Sequence, residues 1–137
     1  MTGFQILDHT ADIGIRATGD TLAEAFAHGA RGMFSIITDL DTIQRRESRR
    51  VTVDAPDVEA LLVNWLNELL YLYEVEGILF ADFAIENMGE QQLTATCTGE
   101  RVDHQRHPIK TVVKAATYHA LEVTVGRPCH VQFILDV

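Results

Sequence analysis

The stretch Ile13-Gly14-Ile15-Arg16-Ala17-Thr18-Gly19-Asp20-Thr21-Leu22-Ala23-Glu24 changes its hydrophobic period part-way along. Ile13, Ile15 and Ala17 alternate with Arg16 and Thr18, the period of two that marks a half-buried strand. Gly19-Asp20 then turns the chain. Thr21 and Glu24 have capping-box spacing, in which each side chain satisfies an unpaired N–H of a helix's first turn. Leu22, Phe26, Ala30, Met33 and Ile37 follow at helical spacing, so one face packs on a sheet and Met33 and Phe34 read as core. A strand running straight into an amphipathic helix sets the pattern for the rest of the chain.

Working outward, residues 4–7 predict a short first strand, and residues 39–50 a loop leading into a strand that holds Val51 and Val53. Pro56-Asp57 opens a second helix, where proline and an acidic first turn are both favourable. Its broad stripe of Val58, Leu61, Leu62, Trp65, Leu66, Leu69, Leu70 and Tyr73 predicts a central, well-covered helix, with Asn64, Asn67 and Glu68 on the polar side. After Gly77, Leu79, Ala81, Phe83 and Ile85 share one predicted face. Leu93, Ala95 and Cys97 alternate with threonines, and Asn87-Met88-Gly89-Glu90 between the two segments predicts an antiparallel hairpin. Residues 99–111 read as a polar loop. Residues 112–123 fit strand and helix almost equally by period; their β-branched and aromatic content and the lack of caps favour a strand. Residues 130–137 read as a last strand with Val131, Phe133 and Leu135 inward. The whole predicts one α+β domain over residues 1–137, with two main helices packed on a largely antiparallel or mixed β-sheet.

Composition narrows the function. The 20 acidic and 11 basic residues give a net charge of −9, which repels nucleic-acid phosphate and disfavours broad direct RNA or DNA binding. Such a chain more naturally docks on a basic protein or holds a cation. Cys97 and Cys129 lack C-x-x-C spacing and read as buried free thiols in a reducing compartment. No signal-peptide pattern or membrane-length apolar run is present, so a cytoplasmic protein is expected. Four of the nine arginines fall in Gln44-Arg45-Arg46-Glu47-Ser48-Arg49-Arg50. That run reads as a solvated loop, with a phosphate contact as the sharper alternative.

Candidate chemistry gathers at the two ends of the chain. Asp8, His9 and Asp12 lie within five residues at the entry to a strand. Hard divalent cations prefer such oxygen ligands, but short Asp/Thr turns that bond backbone N–H groups are common, and the local sequence alone favours the turn. At the other end Asp136 and the terminal carboxylate of Val137 sit side by side on a strand. If the strand at 13–18 neighbours the strand at 130–137, Asp12 completes a three-carboxylate cage. Lys114 either faces solvent or relieves the charge of such a cluster. His104 and His107 beside Asp103 form a weak zinc pattern, and His119 reads as a partly buried, hydrogen-bonded side chain. No phosphate-binding glycine loop, nucleophile elbow or nucleophile with an activating base is found, so no catalytic residue is assigned.

Four segments together resemble the archease family: "DHTADIGI" at 8–15, "LLVNWLNELLYLYEVEGILF" at 61–80, "VKAATYHAL" at 113–121 and "FILDV" at 133–137. The resemblance runs across essentially the whole chain. It implies a protein cofactor of the RtcB-type RNA ligase rather than an enzyme, one that promotes GTP-dependent guanylylation and multiple turnover in tRNA splicing or RNA repair. It also implies a bound divalent cation, calcium in structures. Asp12, Asp136 and the Val137 carboxylate match its metal positions and Lys114 its activation-associated lysine, with Asp8 and His9 in support. The rival readings are a small metal-dependent phosphohydrolase using Asp12, Asp136 and His9 or His119, and a plain interaction domain.

Overall fold

The computed structural model describes residues 3–8 and 12–137, among which seven strands and two long helices follow one another. The strands are β1 (Gly3–Asp8), β2 (Asp12–Gly19), β3 (Glu47–Asp54), β4 (Ile78–Met88), β5 (Gln92–Arg101), β6 (Ala115–Thr124) and β7 (Cys129–Asp136). Helix α1 spans Leu22–Ile37 and α2 spans Val58–Glu76, with a short 3-10 turn at Leu40–Thr42. The single predicted sheet is in fact two, one ordered β1-β2-β7-β6 and the other β3-β5-β4, and every described pairing is antiparallel. Period alone reports which face of a strand is buried, not which sheet it joins.

The helices bridge the sheets. Helix α1 packs on β1, β2 and β7 of the four-stranded sheet and also on β4, whereas α2 packs on β6 and on β3. Thr21 caps α1 as predicted, its hydroxyl accepting the Glu24 N–H at 3.2 Å. Asp57 caps α2 by accepting from Ala60 N–H at 2.8 Å, so Pro56-Asp57 precedes the helix, which begins at Val58, instead of forming its first turn. Gly77 ends α2 with φ 69°, ψ 34°, the left-handed conformation glycine adopts without penalty, and its N–H returns to Tyr73 O at 2.9 Å.

Ile15, Ala17, Val131, Phe133 and Leu135 are buried on the inner face of the first sheet, matching the alternation read in β2 and β7. Trp65 is fully buried and donates its indole N–H to the Phe26 carbonyl at 3.1 Å, tying α2 to α1. Around it, Phe34, Phe80, Phe83 and Tyr73 form edge-to-face or tilted ring pairs 5.9–6.4 Å apart, joining both helices to β4. Met33 and Phe34 are core, and Cys97 and Cys129 are buried free thiols, the Cys97 thiol pushed up to about 12 by burial.

Two local readings change. A register shift between Phe80 and Asp82 leaves Ala81 as an extra residue in β4. Phe80, Phe83 and Ile85 therefore oppose Gly99, Cys97 and Ala95, and Leu79 lies on the other face from Phe83. A bulge reverses alternation, and no period survives it. Second, β3 starts at Glu47 and β6 at Ala115, so half of the supposed arginine loop is strand and residues 112–114 are not.

Gly99 is required by this bulged crossing. A Cβ there would stand 1.8 Å from Leu79 O and 2.8 Å from its carbonyl carbon, both backbone atoms. Gly99→Ala should therefore split the β4–β5 pairing locally and cost about 3 kcal/mol, at the upper end of overpacking losses. Urea denaturation of the purified variant measures it.

Candidate functional site

The antiparallel register of β2 on β7 sets Asp12 directly opposite Asp136, at the end of the first sheet. Directly opposed residues project from the same face of an antiparallel pair, here the outer face that also carries the Arg16–Gln132 hydrogen bonds of 2.6 and 3.1 Å. On the far side of β7, Ala115 opposes Asp136, and the Lys114 N–H donates to the Asp136 carbonyl at 2.8 Å. Residues 12, 114 and 136 thus meet at one sheet end. Asp136 and Lys114 are exposed, and Asp12 and Val137 half-buried.

Asp8 ends β1 with its backbone opposite Ile13, next to this edge. Its side chain and all of His9 lie outside the described residues. Among the described residues no three His, Cys, Asp or Glu side chains converge to hold a metal. The donor set at the tip is nonetheless of the right chemistry: two hard side-chain carboxylates on one face, followed by Val137. A large oxygen-seeking cation such as calcium suits this set better than zinc, completing its shell with carbonyls and water.

The loop that delivers Lys114 is held by a buried acid. Glu100, 3% exposed, accepts two bonds from the Arg106 guanidinium (2.7 and 3.1 Å) and one from the Gln44 N–H at 2.7 Å. His107 is fully buried beside it. The Asp103 N–H donates to His107 Nδ1 at 2.8 Å, which assigns the proton to Nε2, 2.9 Å from Glu100 Oε2. Further on, the Thr38 hydroxyl donates to Pro108 O at 2.8 Å and the Lys110 N–H to Ile37 O at 2.8 Å. The weak zinc pattern at His104 and His107 is thus replaced by a structural role for His107. Sequence reasoning missed Glu100. Residues 99–111 read as a polar loop, but β5 runs to Arg101 and carries Glu100 into the interior, which nothing in the local pattern signals.

Arg106, with Gln44 and His107, holds the Glu100 carboxyl down at about 2, outweighing the opposing effect of burial. A depressed carboxyl stabilises the fold in full above its unfolded value near 4.5 and loses that contribution as pH falls toward 2. Glu100→Gln should cost about 3 kcal/mol at neutral pH, the lower end for breaking a buried pair. It should also flatten the acid limb of the stability curve between pH 4.5 and 2. Chemical denaturation at a series of pH values measures both.

The arginine run is consumed by carboxylates. Arg45 pairs with Asp82, Arg46 approaches Glu100 at 3.6 Å, Arg49 bonds Glu76 and Glu47 at 3.0 and 3.3 Å, and Arg50 bonds Glu86 at 2.8 Å. Each guanidinium faces an acid, which accounts for the run without a phosphate. His119, expected to be partly buried and hydrogen-bonded, is exposed in an irregular part of β6. Among the described residues no helix is long and apolar enough to cross a membrane.

The fold has counterparts in known proteins. The family model of the Archease protein family matches residues 4–137. Protein archease of Methanosarcina barkeri is 43% identical over 125 residues, covering 88% of this chain and 86% of that protein. Protein archease of Sulfurisphaera tokodaii is 39% identical over 140 residues, with 100% of both chains covered. The solution structure of Methanobacterium thermoautotrophicum protein 1598 superposes with a TM-score of 0.85 at 36% identity, covering 100% of both chains. A Thermotoga maritima protein described as an archease and possible chaperone shares the fold, with a TM-score of 0.66 at 22% identity over 96% of this chain and 94% of that one. With the family model spanning nearly the whole chain and relatives near 40% identity over most or all of their length, this protein belongs to the Archease family.

Proposed function

We propose that this protein is a non-catalytic activator of an RtcB-type RNA ligase, promoting its guanylylation by GTP and its multiple turnover in tRNA splicing or RNA repair. The observation that carries the reading is the register of Asp12 on Asp136 with Lys114 bonded alongside. It gathers the residues singled out by the family resemblance, from both ends of the chain and from a distant loop, at one exposed edge.

In this reading Asp12 and Asp136, with Val137 beside them, hold a divalent cation, calcium being the best match to an all-oxygen set. Such an ion, when bound, supplies positive charge that can organise phosphate oxygens. The carboxylates hold it at the rim of the sheet, and Lys114 balances their charge and offers an ammonium to the same phosphates. An acidic protein with a cationic focus at its tip suits a basic, nucleotide-binding cleft: most of its surface is attracted there, and the tip alone addresses the anion.

The test is guanylylation of a purified RtcB-type ligase with GTP, at substoichiometric amounts of this protein. Many ligase molecules guanylylated per molecule added is the expected result. No acceleration of a cognate ligase from the same cell would overturn the reading. Phosphoester turnover by the isolated protein would favour a hydrolase instead.

A further inference from the structure

Lys114 is held beside Asp136 by a very short piece of sheet. Ala115, Ala116 and Thr117 oppose Asp136, Leu135 and Ile134, after which β6 leaves β7 and does not rejoin it until Glu122. Ala120, within that excursion, has φ 52°. Those three register pairs, with the Lys114 N–H on the Asp136 carbonyl and the Thr117 hydroxyl donating to Ile134 O at 3.0 Å, anchor residues 114–117 on the β7 side. On its other side β6 is the edge of the sheet among the described residues, so a backbone N–H and C=O would face outward there.

Both outward groups of Ala116 are taken by one side chain. The Ala116 N–H donates to Asn67 Oδ1 at 2.8 Å, and Asn67 Nδ2 donates to the Ala116 carbonyl at 3.2 Å. A carboxamide carries an acceptor and a donor side by side, as a peptide group does, and so substitutes for a missing neighbouring strand. The frame that presents it is rigid. Asn67 is half-buried on α2, where Trp65, Leu66, Leu69 and Leu70 are all 0–3% exposed.

We propose that Asn67 is a positioning residue for the activating tip. It clamps the edge of β6 so that Lys114 stays on the Asp136 carbonyl, next to the Asp12–Asp136 pair, and it thereby sets the efficiency of activation. The activation part rests on the function proposed above; the clamping of Lys114 does not.

A matched control exists on the same helix. One turn earlier, exposed Asn64 donates to Asp54 O at 3.0 Å, at the end of β3 in the other sheet. It makes a similar contact far from the tip in the register. Asn67→Leu, Asn67→Ser and Asn64→Leu are compared with wild type well below their melting temperatures. Amide hydrogen exchange is followed by NMR, and ligase guanylylation is measured in saturating calcium. Both Asn67 variants should speed exchange at Lys114 and Ala116 and reduce activation, each by tenfold or more. Asn64→Leu should leave both near wild type.

Asn67→Ser covers the case in which leucine prevents folding. Unchanged exchange at Lys114 in a folded Asn67 variant overturns the clamp. Equal losses in Asn64→Leu would show a general loss of stability and overturn it too. Full activation by an Asn67 variant whose Lys114 amide has loosened overturns the link to activity. A wild type that activates nothing rejects the function proposed above, while the exchange data still decide the clamp.

Discussion

Asp12→Ala and Asp136→Ala, each alone, should return ligase guanylylation to within a factor of about two of the ligase without this protein. We expect about a 100-fold loss of the added rate, ~2.7 kcal/mol of transition-state stabilisation. The two carboxylates oppose each other across one strand pair, so neither can be replaced by a neighbour on the same face: the next positions on that face, deeper in the sheet, are Gly14 and Ile134. Folding should be spared. Asp136 is exposed and Asp12 half-buried, and the packing at this edge is done by their inward neighbours Leu135 and Ile13. Substitutions at exposed positions such as Asp136 usually change stability by less than about 0.5 kcal/mol.

Calcium separates a ligand-binding role from a structural one. An ion that binds only the folded state stabilises it by ~2.7 kcal/mol at 100 times its dissociation constant. Calcium should therefore raise the melting temperature of the wild type and of Lys114→Ala, and leave both aspartate variants unmoved. A calcium shift that persists in Asp12→Ala and Asp136→Ala would remove the cation from the account.

The largest stability effect belongs to Trp65→Ala. Trp65 is fully buried: it projects from α2 between α1 and β4, with its ring 6.0 Å from Phe83 and its N–H on the Phe26 carbonyl. Truncation removes the largest buried side chain, leaves a cavity between three elements and breaks the bond that joins the helices. Phe/Trp→Ala losses run about 3–5 kcal/mol, and for a chain of this size about 4 kcal/mol lowers the melting temperature by roughly 15 °C. Trp65→Phe should recover more than half of that, because ring volume is largely kept and the Phe26 carbonyl can still serve its own helix. Calorimetry of the two variants checks both figures. A loss below about 1.5 kcal/mol in Trp65→Ala would mean that the core closes over the gap.

Much of the fold was legible in the chain because local periods carry it. The strand of Ile13, Ile15 and Ala17, the Thr21 cap, the α1 stripe, the broad α2 stripe and the hairpin about Gly89 all follow from side chains a few residues apart. Legibility stopped where backbone geometry overrides period. Ala81 bulges out of β4 and inverts the faces on either side of it, and β6 breaks between Thr117 and Glu122. Charge also misled locally, since the guanidiniums of residues 45–50 find their acids on β4, on α2 and in β5, far away in sequence.

The sequence by itself determined most element types, the inward faces of β2 and β7, the Thr21 cap and the residues worth suspecting at the tip: Asp12, Lys114, Asp136 and Val137. Only the tertiary structure decided that there are two sheets, that Asp12 meets Asp136, and that Asn67 and the Glu100–His107–Arg106 cluster hold the segments around Lys114. The reason is physical. Caps and periods are interactions within one or two turns of chain, written in the residues themselves. Strand order, register and buried ion pairs join residues tens of positions apart, and they are settled by which of many long-range closures buries the most surface with the fewest unpaired polar groups.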